Sequence, residues 1–223
     1  MIASIPTSEL LGPLNEFEQV KPPKALDYAG DLRLLRANPR VAIVGSRQAS
    51  AAGLERAHEV AHHLVTVGGV VISGLATGID RAVHESAIAA GGRTIGVLGT
   101  PLSRYYPQEN RALQELMMRE HLVLSQFETG ANPGRAGFVQ RNHTMALISH
   151  ATVIIEAGEM SGTQSQAWEA IRLGRSLYLH ASLAHADFEW PQKLLHYGAI
   201  PFESLEDLLL DPLLNPNAEL IWE

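Results

Sequence analysis

Short apolar runs alternate with helical patterns from residue 41 onward. The runs are four or five residues long and lack regular polar positions, which is typical of strands covered on both faces of a sheet. We predict six such strands, at Val41–Val44, Val70–Ser73, Thr94–Leu98, Leu122–Ser125, Thr152–Glu156 and Ser176–Leu179.

Helical periodicity fills the segments between these runs. The predicted helices are Ala51–Val67, Ile79–Ala90, Glu109–Arg119, Arg141–Ser149 and Thr163–Leu173. Strands that alternate with helices form βαβ units with right-handed crossovers. The pattern therefore predicts an α/β fold, with a doubly wound, mostly parallel sheet and helices on both faces. A ligand site is expected at the carboxyl ends of its strands.

Two weaker segments flank this body. Residues 1–40 are predicted to be an N-terminal lead-in to a domain spanning residues 41–202, and residues 203–223 an acidic and apolar tail. Within the tail, Ser204–Asp207 resembles a capping box that opens a short helix to Leu210. The last apolar residues, Leu220–Trp222, either pack on their own domain or dock on a partner or a second subunit.

The composition is that of a globular protein, with 46% hydrophobic and 18% charged residues. The absence of cysteine excludes a disulfide scaffold, thiolate metal ligands and a cysteine nucleophile, and it fits a reducing compartment. No apolar run approaches the roughly 18 residues of a membrane span, and the first lysine is Lys21, too late for a signal peptide. We expect a cytoplasmic protein that does not contact membranes.

The net charge of −7 comes from one end of the chain. Residues 181–223 hold one basic and eight acidic side chains, whereas residues 41–180 hold eleven of each, and all eleven cations are arginine. The acidic balance argues against indiscriminate binding of nucleic acid but leaves room for an arginine-lined groove. Arginine suits bidentate contact with phosphate, although a simple compositional preference explains the pattern equally well.

Glycine-rich turns follow several predicted strands, and in a parallel sheet such turns converge on one rim. Glycine lets the backbone approach a ligand closely, and the N–H groups at the following helix termini attract anions. Turns of this kind also need glycine and serine for structural reasons, but their recurrence favours a ligand that carries phosphate. The turns are Gly45–Arg47, Ser73–Gly78, Gly99–Thr100 and Gly158–Thr163, with hydroxyl groups at Ser46, Ser73, Thr77, Ser161 and Thr163.

Phe138, Arg141 and Asn142 lie close together at the opening of a predicted helix. A ring, a fixed cation and an amide in this arrangement can stack a base, hold a phosphate and contact a base edge. Spacing alone favours the other interpretation, in which Phe138 is a core residue and Arg141 a surface salt-bridge residue.

Three common chemistries do not fit the sequence. The turn at Gly45 lacks the G-x-G-x-x-G pattern of dinucleotide binding, and no lysine lies between Lys24 and Lys193 to serve a P-loop. The H-E-x-x-H segment His58–His62 has no evident third ligand, so we expect no metal and no cofactor. Among the carboxylates that could assist N-glycosidic cleavage, Glu156 is better placed at a strand end than Glu169.

Several motifs together resemble the DNA-processing protein A (DprA/Smf) family of Rossmann-like proteins. The resemblance covers roughly residues 20–180, about 70% of the chain, and is specific because the motifs occur together and in order. The chain departs from it at His143, where a second arginine is usual. The matching stretches are Val41–Arg47, Ser73–Asp80 with His84, Gly92–Leu98, Tyr106–Pro107 with Glu109–Arg111, Phe138–Asn142 and Ser161–Thr163.

The resemblance implies a non-catalytic protein that binds single-stranded DNA, commonly as a homodimer, and loads a RecA-type recombinase. It also implies a phosphate pocket, with Phe138 as the base-stacking residue. Alternatives that remain open are a nucleotide-binding protein, a nucleotide N-glycosidase-type hydrolase of the same superfamily, and a nucleotide-sensing interaction protein. The implied site residues are Gly45, Ser46, Arg47, Ser73, Gly74, Phe138, Arg141, Asn142, Ser161, Gly162 and Thr163.

Overall fold

The computed structural model describes residues 2–215, and nine strands in this range form one sheet. The sheet order is β1-β2-β6-β5-β4-β3-β7-β8-β9. The strands are β1 (Ala3–Pro6), β2 (Ala25–Gly30), β3 (Arg40–Val44), β4 (Val70–Ser73), β5 (Arg93–Leu98), β6 (Leu122–Ser125), β7 (Ala151–Ile154), β8 (Ser176–His180) and β9 (Ile200–Phe202).

Helices connect most of these strands. They are α1 (Thr7–Leu11), α2 (Ala51–Thr66), α3 (Ile79–Ala89), α4 (Arg111–Glu120), α5 (Ala136–Ile148), α6 (Thr163–Arg172), α7 (Ala181–Ala184), α8 (Glu189–His196) and α9 (Leu205–Leu209). Short 3-10 helices at Leu32–Arg36 and Gln108–Asn110 complete the set. No helix within residues 2–215 has the length and apolar character needed to cross a membrane.

The strand order reverses beside β3, which pairs in parallel with β4 on one side and with β7 on the other. From β3, the strands β4, β5 and β6 follow one another toward one edge of the sheet, and β7, β8 and β9 follow one another toward the other edge. Connections that leave such a switch point on opposite faces leave a crevice outside the carboxyl ends of the two strands. The predicted doubly wound, mostly parallel sheet is confirmed.

The core lies on both faces of this sheet. Along β3, Ala42 and Val44 contribute to one apolar cluster, while Val41 and Ile43 contribute to the other. Successive side chains of a strand point to opposite faces, so a strand covered on both sides needs apolar residues at every position. This explains why the strands appear in the sequence as uninterrupted apolar runs.

The lead-in contains structure that the sequence analysis did not predict. Strand β2 pairs antiparallel with β1 and with β6, so residues 3–30 extend the sheet at one edge. Its Asp27 and Tyr28 interrupt the apolar pattern because this part of the sheet is less completely covered. Such mixed, partly exposed patterns carry little periodic signal.

Helix α5 begins at Ala136, five residues before the predicted start at Arg141. The segment before Arg141 is rich in glycine and proline, which favoured a loop. Gly137 lies inside the helix because of close packing: a Cβ atom there would lie 2.4 Å from the carbonyl oxygen of Gly99. The glycine is required by this tertiary contact and does not mark the end of the loop.

The C-terminal part adds β9 and the helices α7 and α8 to the predicted elements, and α9 is the short helix expected after Ser204. The capping box is confirmed: the Ser204 side chain accepts from the backbone of Asp207, whose carboxylate accepts from the backbone of Ser204. Leu208 and Leu214 are buried in the cluster that contains β3 residues Val41 and Ile43, so the described part of the tail packs on its own domain. The apolar residues Leu220–Trp222 lie outside the described residues.

Candidate functional site

A cavity of about 610 Å³ opens at the switch point, between the turns that follow β3 and β7. We call it the main cavity. It contains nine of the eleven site residues expected from the sequence and the family resemblance, among them Phe138, whose ring forms part of its wall. These nine residues are Gly45, Ser46, Arg47, Phe138, Arg141, Asn142, Ser161, Gly162 and Thr163.

Both turns at the main cavity offer free backbone donors. Within residues 2–215, the N–H groups of Ser46, Arg47, Ser161 and Gly162 donate no hydrogen bond. The second pair stands at the N-terminus of α6, where the helix dipole adds partial positive charge. Free N–H groups at a helix N-terminus and a neighbouring turn favour binding of an anion such as phosphate.

Arg47 and Phe138 form a cation–π pair at the mouth of this cavity. The guanidinium carbon of Arg47 lies 5.6 Å from the centre of the Phe138 ring. Arg47 is exposed, and it makes no hydrogen bond or ion pair within the described chain. Its charge is therefore free to meet a phosphate, while the half-buried ring offers a flat apolar surface beside it.

Arg141 is buried and forms part of the floor. Its Nη1 donates to the carbonyl oxygen of Val97 at 2.8 Å, and its Nε donates to Oδ1 of Asn142 at 3.1 Å. Burial lowers the pKa of its guanidinium, and the neighbouring Asp80 offsets part of that effect. The alternative interpretation of Arg141 as a surface salt-bridge residue is wrong.

Among residues 2–215, Asp80 is the one carboxylate that lines the main cavity. Burial raises the pKa of this side chain, while the charge of Arg141 opposes the rise. The lining thus contains two guanidiniums against one buried acid, although the whole chain is acidic. The local charge therefore favours an anionic ligand, because the fold brings two arginines together here although the chain as a whole is acidic.

Ser73 and Gly74 lie outside the main cavity. The Ser73 hydroxyl is fully buried and donates to the carbonyl oxygen of Ile43 at 2.7 Å, so it links β4 to β3 beneath the turn. Ser73 was predicted to be a ligand-binding residue because it ends a strand. Its position in the sequence does not show whether the hydroxyl faces a ligand or the neighbouring strand. Gly74 faces a smaller neighbouring cavity and makes room for Arg141.

Asn110 supports this site from outside the cavities, a role that the sequence analysis did not assign to it within the matching stretch Glu109–Arg111. Leu75 adopts a left-handed backbone conformation with φ of 56°, which costs free energy for a side chain with a Cβ atom. The buried Asn110 amide donates to the carbonyl oxygens of Leu75 and Ala76, at 2.9 and 3.0 Å. It thereby stabilises the conformation of the turn after β4. The residues next to Asn110 in the sequence give no indication of this role, because its partners lie 34 and 35 residues away.

The candidate carboxylates for hydrolysis are engaged elsewhere. Glu156 accepts hydrogen bonds from the backbone N–H and hydroxyl of Ser50 at the start of α2, and Glu169 binds His143 and Arg172. Neither carboxylate lines the main cavity. Within residues 2–215, no group of three or more His, Cys, Asp or Glu side chains could hold a metal ion, including the H-E-x-x-H segment.

Comparison with known families decides the relationship. A family model described as DNA recombination-mediator protein A matches residues 12–211. The chain belongs to this family. Relatives include DNA processing protein DprA from Bacillus subtilis, 33% identical over 84% of this chain and 63% of its own length. DprA from Streptococcus pneumoniae is 35% identical over 85% of this chain and 67% of its own, and protein Smf from Synechocystis 35% identical over 91% and 53%.

Solved structures of family members have the same architecture. DprA from Streptococcus pneumoniae superposes with a TM-score of 0.82 at 33% identity, covering 94% of this chain and 74% of that one. DprA from Helicobacter pylori, described as having a unique single-stranded DNA binding mode, superposes with a TM-score of 0.79 at 25% identity over 94% of both chains. The Rossmann-like fold is thus confirmed, while this chain spans only about half to two thirds of the curated relatives' length.

Proposed function

We propose that this family member binds single-stranded DNA and acts in DNA processing during recombination. The phosphodiester chain lies in the main cavity, against the free N–H groups of the two turns and the guanidinium of Arg47. A base stacks on the ring of Phe138, an interaction worth roughly 1–3 kcal/mol. The site uses no chemical step, so the protein acts by binding.

One observation carries this proposal. A free guanidinium lies against an aromatic ring at the entrance of a cavity whose turns present unpaired N–H groups. Charge and backbone donors recognise phosphate without regard to sequence, and a ring stacks on any base. Together they suit a single strand, whose bases are free to leave the stack, better than a duplex.

Relatives support the same assignment. The Helicobacter pylori DprA with this fold is described as binding single-stranded DNA, and the family is described as a recombination mediator. We extend this to a homodimer that hands its DNA to a RecA-type recombinase in the cytoplasm. The mass of the protein in solution, and its co-purification with a recombinase on DNA, test these two extensions.

The decisive experiment compares three labelled ligands by fluorescence anisotropy: a single-stranded 20-mer, the matching duplex, and a mononucleotide. At two ionic strengths, the single strand should bind most tightly, and its affinity should fall with salt by ~0.7 logarithmic units per phosphate contact for each tenfold rise in salt. Equal binding of the mononucleotide, or binding that ignores salt, would contradict the proposal.

A further inference from the structure

A second cavity of about 230 Å³ adjoins the main cavity. We call it the side cavity. The two cavities share the side chains of Arg47, Phe138 and Arg141, so a strand that follows the main cavity passes the entrance of the side cavity. Tyr106, Glu109 and Thr77 line only the side cavity.

Two aromatic rings bound the side cavity. The centres of the Tyr106 and Phe138 rings lie 5.3 Å apart, and their planes are inclined by 46°. Tyr106 keeps 46% of its surface exposed beside Phe138, so much of its ring remains accessible to a ligand. Rings of this kind, around a space suited to one planar group, provide a stacking surface for a nucleobase.

Glu109 decides which part of a strand enters. Its exposed side chain makes no hydrogen bond or ion pair within residues 2–215, although Arg47 and Arg141 line the same cavity. An ionised carboxylate repels phosphate and only accepts hydrogen bonds. The side cavity therefore selects a group with N–H donors, whereas the main cavity selects the phosphate.

Nucleobases differ in the donors that they offer a carboxylate. On its Watson–Crick edge, guanine presents two adjacent donors, N1–H and the N2 amine, which match the two oxygens of a carboxylate. Adenine and cytosine each present one amine, and the single N–H of thymine lies between two carbonyl oxygens that repel the carboxylate. A bidentate acceptor thus discriminates guanine from thymine most strongly.

We propose that the side cavity is a base-recognition subsite in which Glu109 accepts two hydrogen bonds from guanine while the base stacks against Tyr106. This rests on the proposed single-stranded DNA binding and adds a sequence preference to it. The preference is local, because phosphate contacts in the main cavity hold any sequence.

The test uses anisotropy titrations with three labelled 18-mers: all thymine, every third thymine replaced by guanine, and every third replaced by hypoxanthine. The guanine strand should bind about 5-fold or more tightly than the thymine strand, which corresponds to the low end of a bidentate contact. Hypoxanthine keeps N1–H and lacks the N2 amine, so its strand should fall between the two.

The Glu109→Gln variant should bring the guanine-to-thymine affinity ratio close to one. Glu115→Gln is the matched control, because Glu115 pairs with Arg111 on α4 and lines neither cavity, and it should keep the wild-type ratio. If Glu109→Gln fails to fold, Glu109→Asp keeps the charge but withdraws it by one methylene, and it should also lower the ratio.

Two results overturn the subsite without touching the proposed function: equal affinity of the wild-type protein for the guanine and thymine strands, or a preference that survives in both Glu109 variants. A wild-type protein that binds none of the three strands overturns the proposed function itself, and the subsite with it.

Discussion

Gly74 and Arg141 interlock. A Cβ atom at Gly74 would lie 1.7 Å from Nη1 of Arg141, well inside any permitted contact. The guanidinium is fixed at the same time by its bond to the Val97 carbonyl oxygen, so it has no free direction in which to withdraw. The lack of a side chain at Gly74 thus leaves the space that the guanidinium of Arg141, from α5, occupies.

Gly74→Ala should therefore destabilise the protein by about 1–3 kcal/mol, the usual cost of overpacking, and weaken DNA binding as the floor of the main cavity shifts. Urea unfolding together with anisotropy checks both effects. Gly162→Ala is a stability control, since a Cβ atom there meets nothing within 4 Å and its φ is −60°. Equal unfolding midpoints for the two variants would disprove the interlock.

Asn110→Asp should destabilise the protein by about 3 kcal/mol or more. The substitution replaces an amide that donates to the Leu75 and Ala76 carbonyl oxygens with a buried carboxylate that faces two acceptors. Chemical unfolding measures the loss, and it should shrink at low pH, where protonation restores a donor. Asn132→Asp is the control: this exposed loop side chain accepts a hydrogen bond from Arg104, which a carboxylate also accepts, so stability should stay within ~0.5 kcal/mol of the wild type. A loss that does not change with pH would argue against this role of Asn110.

Arg47→Ala should weaken binding of single-stranded DNA and reduce the salt dependence by ~0.7 logarithmic units, the share of one phosphate contact. The side chain is exposed, and within residues 2–215 it makes no ion pair and contacts only the Phe138 ring, so its loss should lower stability by no more than ~1 kcal/mol. The control Arg33→Ala removes another exposed arginine, which pairs with Asp31 and lines neither cavity. Parallel salt titrations of both variants distinguish the roles, and a slope that Arg47→Ala leaves intact would exclude the contact.

His84 makes stability depend on pH. Its ring is buried against Thr94, and burial lowers its pKa from 6.5 to about 3. Between pH 6.5 and about pH 3, this histidine is protonated in the unfolded chain but not in the folded protein. The free energy of unfolding should therefore decrease by about 1.4 kcal/mol for each unit by which the pH is lowered in that window. Burial raises the pKa of Asp80, so protonation of this side chain should increase the free energy of unfolding as the pH is lowered through its raised pKa, opposite to the effect of His84.

Urea unfolding at pH 7.5, 5.5 and 4.5 measures this dependence. His84→Gln should flatten the slope by about 1.4 kcal/mol per unit between pH 5.5 and 4.5. His58→Gln, which changes an exposed histidine on α2, should keep the wild-type slope. An unchanged slope in His84→Gln would show that other groups dominate acid destabilisation.

The sequence was sufficient to predict six of the seven parallel strands and nine of the residues that line the main cavity. Buried strands and their helices carry their signal locally, as apolar runs followed by glycine turns, and the turns after β3 and β7 held six of the expected site residues. Strands β1, β2 and β9 and the early start of α5 were missed. In these segments, long-range pairing and packing decide the structure and the local pattern is weak.

What the sequence by itself determined is therefore the set of elements and their covered faces, because hydrophobic periodicity is a property of neighbouring residues. Only the tertiary structure decided that β3 and β7 adjoin, and with them the turns of Gly45 and Ser161. It also decided that Ser73 links two strands, that Glu156 binds the N-cap residue Ser50 of α2, and that Glu109 lines the side cavity. The partners of Ser73 and Glu156 lie 30 and 106 residues away, and the pattern of neighbouring residues cannot predict contacts over such distances.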